Sequence, residues 1–172
     1  MHRRNILTLI ALGTVIPSAA FGQERRSREE RLAETAERYI EDTLAVGGIA
    51  LATSQFARER AHHRWVKKFA EYETAEQEGV ASILRSFGGR TPAEAREEGR
   101  DAKRDLRGLS GERFDDAYLE AQADGHEHLL RIQNDLIKSG RDEELQNIAK
   151  LIRGRVQEHI DLIRTIRDQL RA

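Results

Sequence analysis

No cysteine occurs among the 172 residues. That excludes a disulfide framework, a thiolate metal site, a cysteine nucleophile and a lipid-bearing cysteine. Proline occurs only twice, and aromatic residues make up 5% of the chain against 34% charged. With so few helix breakers, and with Arg, Glu, Ala and Leu abundant, long helices are favoured. No stretch alternates with the two-residue period of a strand. No basic block carries interleaved aromatics, so nucleic acid is not an expected partner. A glycine-rich phosphate loop and a nucleophile elbow are also missing, which removes the phosphoryl-transfer and serine-hydrolase classes. Disorder is excluded by an apolar content of 38%.

What is present begins with a leader pattern. Arg3-Arg4 precedes an apolar run from Ile6 to Ile16, too short for a membrane anchor. Pro17-Ser18-Ala19-Ala20-Phe21-Gly22 then supplies small residues. Residues 1–22 are therefore expected to be a signal peptide cut after Gly22. The arginine pair also fits a twin-arginine leader, but Sec leaders start the same way and Sec is the expected route. The product is expected in the periplasm or outside the cell, with no transmembrane or lipid anchor. Loss of the leader removes two arginines and no acid, so the formal charge becomes −3.

Residues 23–35 are expected to be a charged lead-in, flexible or fraying from Gln23 to Arg31, with the first helix starting at a capping box of Ser27 and Glu30 or nearer Ala33. Residues 36–172 are expected to be one all-α domain, an up-down four-helix bundle with a short crossover helix. The first long helix runs to about Ala57 with Tyr39, Ile40, Thr43, Gly47, Ala50 and Ser54 inward. Gly47-Gly48 costs about 1 kcal/mol per glycine against alanine, tolerable where a neighbouring helix crosses closely. The second long helix spans about 63 to 87, with Gly88-Gly89 as its stop. Its inner face carries Val66, Phe69, Glu73, Glu76 or Gln77, and Leu84. Thr91-Pro92-Ala93-Glu94 opens a crossover helix that is polar nearly all round. Two further long helices follow, about 112 to 138 and about 142 to 171. The last has Leu145, Ala149, Ile152, Val156, His159, Ile163, Ile166 and Leu170 at alternating spacings of four and three, the seam of an antiparallel bundle.

Helical phase places His126 and His159 inward, His128 outward, and Glu73 in an otherwise apolar stripe. Gln122 and Gln133 share the line of His126. Unpaired, such groups cost about 1 to 3 kcal/mol each on burial, so they must meet each other or a ligand. Two arrangements satisfy this. One is a closed polar network in which Glu73 accepts from a histidine and the amides complete the bonding. The other is a transition-metal site of His126, His159 and Glu73, a donor set for zinc, iron or copper. Glu59 and His62 have ExxH spacing but sit at a helix end without a second ExxH, so di-iron chemistry is not expected. His62-His63 is expected to be exposed.

Val66-Lys67-Lys68-Phe69-Ala70, the run Gly111-Glu112-Arg113-Phe114-Asp115-Asp116-Ala117-Tyr118-Leu119, His126, and His159-Ile160 resemble an exported, ferritin-like bacterial family of unknown function. Its members are labelled outer-membrane or secreted proteins. The resemblance covers about residues 36 to 170 and implies a ferritin-like bundle without a defined activity. Where the family carries a glutamate on the first helix and a histidine on the second, this chain has Ala50 and Gln77, and Glu73 stands at the family's methionine position. The resemblance thus leaves His126 and His159, with Glu73 as a substitute ligand. The expected role is non-enzymatic: structural, stress-related, or interaction with a protein partner.

Overall fold

The computed structural model describes residues 18–171. Five helices follow one another: α1 Ser18–Arg60, α2 Arg64–Ser86, α3 Ala93–Arg107, α4 Glu112–Ser139 and α5 Glu143–Arg171. Among the described residues there is no strand, and no helix is long and apolar enough to cross a membrane. The charged start and apolar run of the expected leader lie outside the described residues.

α1 is longer than its pattern suggests. It runs through the expected cleavage point and through residues 23–31, where a flexible or fraying lead-in was expected. No helix start falls at Ser27, so the expected capping box does not form there. The reason is intrinsic propensity: Glu, Arg and Ala hold a helical backbone even where no apolar face needs covering. At the other joints the turn chemistry behaves as read. Gly88 takes φ +85° just after α2. Its N–H donates to the Arg85 carbonyl, and the Gly89 N–H donates to the Leu84 carbonyl. This is the six-residue glycine stop that satisfies two of the last free carbonyls. α3 starts one residue later than Thr91-Pro92 implies, with Pro92 as cap and no side-chain cap bond.

The sense of packing follows from side-chain pairs. Tyr39 on α1 meets Gln133 on α4, and Ser54 meets Tyr118. Numbers rising on α1 fall on α4, so these helices are antiparallel. Glu73 and Glu76 on α2 face His159 and Arg155 on α5 in the same opposed order. α3 is less solvated than its composition implies. Ala95, Gly99 and Leu106 are buried, and a Cβ at Gly99 would lie 3.4 Å from Ala52 Cβ and 3.8 Å from the Gly48 carbonyl. Gly48 and Gly99 therefore serve close approach of α1 and α3, as the position of Gly48 suggested.

Two apolar clusters sit at opposite ends of the four long helices. One holds Ala57, Phe69, Phe114, Tyr118, Leu119 and Ile163. The other holds Tyr39, Ile40, Leu84, Leu136, Leu145 and Ala149. Each large side chain adds about 1.5 to 3 kcal/mol on full burial. Between the two clusters, at mid-height, polar side chains face inward beside a third apolar cluster of Leu129, Ile152, Val156 and Ile160: Thr53 and Ser54 on α1, Glu73 and Gln77 on α2, Gln122 and His126 on α4, and His159 on α5. The fold is a core with a polar belt at mid-height.

Candidate metal centre

Glu73, His126 and His159 come from α2, α4 and α5 and meet in that belt. Glu73 and His126 are 0% exposed and His159 is 2% exposed. One carboxylate oxygen, Glu73 Oε2, is 2.7 Å from His159 Nδ1 and 3.2 Å from His126 Nε2. The two nitrogens are 3.2 Å from each other. Each residue lies on its helix where the apolar stripe would continue, so the packing that buries Phe69 and Ile163 also carries the three polar heads inward.

Every outward atom of the three has a partner. Gln77 Nε2 donates to Glu73 Oε1 at 2.9 Å. His126 Nδ1 donates to the Gln122 carbonyl at 2.7 Å, since a carbonyl only accepts. His159 Nε2 lies 3.5 Å from Glu76 Oε2, and Glu76 in turn accepts from Arg155 Nε at 3.0 Å. The Phe69 ring closes one side, with its centroid 5.3 Å from that of His159 and 6.2 Å from that of His126.

Electrostatics follows from burial and this pairing. Burial pushes the Glu73 carboxyl up, but the hydrogen bonds and positive charge of His126 and His159 outweigh it and bring the group down to about 2. Burial pushes His126 down, while its bond to Glu73, the Glu73 charge and the Gln122 carbonyl together raise it above the ordinary histidine value. Without an ion the centre is thus a carboxylate held by imidazole N–H donors.

The same atoms fit a metal. Two imidazole nitrogens and one carboxylate oxygen lie within 3.2 Å of one another, close enough for Glu73, His126 and His159 to hold one ion together. His126 would bind through Nε2 with Nδ1–H already on a carbonyl, and His159 through Nδ1 with Nε2 facing a carboxylate. Such outer contacts orient imidazole ligands and raise their basicity.

The structure brings together all three residues singled out from the sequence, and Gln77 joins them as the support of Glu73. Gln122 and Gln133 do not reach the carboxylate. Gln122 donates to Thr53 Oγ1 at 2.9 Å, and Gln133 accepts from Tyr39 at 2.8 Å. The network expected to include both amides therefore divides into separate groups. His128 and His62 are exposed. His63 is instead a cap, its Nδ1 accepting from the Trp65 N–H at 3.3 Å, a role open only to an unprotonated nitrogen. Sequence reasoning missed Asp115. It is buried, and its carboxylate accepts from the backbone N–H groups of His62 at 2.9 Å and His63 at 2.7 Å. It thereby ties the α1–α2 corner to α4. An acid beside Phe114 on an inward face was the available signal.

A family model described as "Domain of unknown function (DUF4142)" matches residues 22–166. No curated protein and no solved structure matches the chain.

Proposed function

The chain belongs to the DUF4142 family, whose description assigns no activity, and from its own centre we propose that it binds one transition-metal ion per chain through Glu73, His126 and His159. The observation that carries this is convergence on a single point. Two imidazole nitrogens and one carboxylate oxygen lie within 3.2 Å of one another, and the remaining atoms of all three side chains are engaged elsewhere. The donor set of two imidazoles and a carboxylate suits zinc, iron or copper. With the ligands 0–2% exposed, nothing bulkier than a small ion fits beside them without movement of the helices. We therefore read the role as non-enzymatic binding rather than turnover.

The leader pattern supports an exported protein, in the periplasm or beyond the cell, and the opposed helix pairs with a crossover between α2 and α4 support a ferritin-like arrangement. In that setting an ion stored or sequestered in a charged helical bundle suits a structural or stress-related role. The second reading is the closed polar network, favoured by the fact that Glu73 and His126 are already hydrogen-bonded among themselves and to Gln77 and Gln122.

Titration of chelator-stripped protein with cobalt(II), followed by its visible absorption and by zinc displacement, separates the two. The metal reading expects a tetrahedral cobalt spectrum that saturates at one ion per chain and is abolished by His126→Ala, His159→Ala and Glu73→Ala. A wild type that develops no such spectrum leaves the network reading.

A further inference from the structure

We propose that Glu76 and Arg155 form the gate through which the ion reaches the buried centre. This deepens the metal reading and rests on it. Glu73 and His126 are 0% exposed, and Phe69, Gln122 and Tyr118 around them are no more than 2% exposed. The carboxylate of Glu76 lies between that interior and solvent. Its side chain is 14% exposed, its Oε2 is 3.5 Å from His159 Nε2, and it accepts from Arg155 Nε at 3.0 Å. Arg155 is 50% exposed and donates at the same time to Glu158, which is 62% exposed. A continuous polar line thus leads from the surface to Nε2 of His159, one ring carbon away from its ligand atom Nδ1.

The two partners of Arg155 define two positions of the gate. While the guanidinium spans both acids, it neutralises Glu76 and lies across the way in. When it swings out on Glu158 alone, Glu76 becomes a free carboxylate at the mouth. That carboxylate takes a cation from water and stands beside the imidazole that receives it. Arg155 is half exposed and already holds a second acid, so the gate opens readily, whereas the buried ligands do not move.

Stopped-flow mixing of the chelator-stripped full chain with cobalt(II), and of the loaded chain with excess chelator, gives both rates. Arg155→Gln is expected to speed loading and release together, with the equilibrium affinity nearly unchanged. Glu76→Gln is expected to slow loading on the order of tenfold, the scale on which charge at a narrow mouth sets association rates. Arg155→Lys should load close to the wild-type rate. Matched thermal melts of the variants confirm that they fold.

Wild-type rates in both variants, with binding intact and abolished by His159→Ala, would overturn the gate and leave the metal centre standing. A Glu76→Gln change confined to release, with affinity falling in step, would make Glu76 only a support for His159 and would also overturn it. Failure of the wild type to bind cobalt would overturn both.

Discussion

Replacement of Glu73 by glutamine removes one negative charge from between two imidazoles and keeps the shape. The carboxyl is lowered from its ordinary 4.5 to about 2. At about 1.4 kcal/mol per unit this corresponds to about 3 kcal/mol of folding stability. Glu73 is 0% exposed, so solvent screening takes little from that figure. It also falls at the lower end of the range for breaking a buried pair from one side, about 3–5 kcal/mol. For a chain of this length the melting temperature should fall by about 6 to 12 °C.

The sign with pH comes from both partners. The lowered Glu73 contributes fully above its unfolded value of 4.5, and the contribution is lost as pH falls toward about 2. The raised His126 contributes fully below its unfolded 6.5, and that share is lost as pH rises through its higher folded value. Without metal, the gap between wild type and Glu73→Gln is therefore widest between pH 4.5 and 6.5 and narrows on both sides. Urea unfolding at a series of pH values in excess chelator measures it. A triple replacement of Glu73, His126 and His159 by leucine should recover much of the loss, because no buried charge then lacks a partner. A gap of less than about 1 kcal/mol at pH 5.5, the net worth of one ordinary hydrogen bond, would refute the reasoning. So would a gap that does not change down to pH 2.

Metal occupancy should run the other way, rising with pH as His126 Nε2 gives up its proton, so cobalt titrations above and below neutrality should differ in affinity in that direction. Gly47→Ala places a Cβ 2.5 Å from Gln77 Oε1. The amide must shift and its bond to Glu73 must loosen, while helix propensity returns about 1 kcal/mol; a weaker metal affinity with a nearly unchanged melt is expected. Asp115→Asn should cost about 1 to 3 kcal/mol in urea unfolding, because two backbone N–H groups lose a charged acceptor. Gly88→Ala, at φ +85°, should lower stability by about 1 kcal/mol with no effect on metal binding.

Much of the arrangement is legible along the chain. Every residue of the expected α5 stripe from Leu145 to Ile166 is buried, and Ile160 joins them. The stop at Gly88-Gly89 stands where glycine places it. Such features are local: a 3.6-residue period and a residue free to take positive φ are written in neighbouring positions. Legibility ends where neighbours in space decide. The highly charged residues 23–35 continue α1, since nothing there opposes a helix. α3 buries Ala95, Gly99 and Leu106 against α1 although its sequence is almost wholly polar. Three small contacts suffice where glycines let two backbones come close.

The candidate site divides along the same line. Inward phase on three separate helices marks Glu73, His126 and His159 as buried polar residues, and the desolvation cost of each requires that they find partners. Up to that point the sequence alone determines the outcome: an all-helical core with an inward carboxylate and two inward imidazoles. Which atoms meet was decided by the tertiary structure. The height at which α2, α4 and α5 pack selects one oxygen of Glu73 for both histidines, gives its other oxygen to Gln77, directs Gln122 and Gln133 to α1, and sets Glu76 between His159 and Arg155. Periodicity fixes the angle of a side chain about its own helix axis. It carries no information on the relative height of two helices, and a site with bond lengths near 2 Å depends on that height.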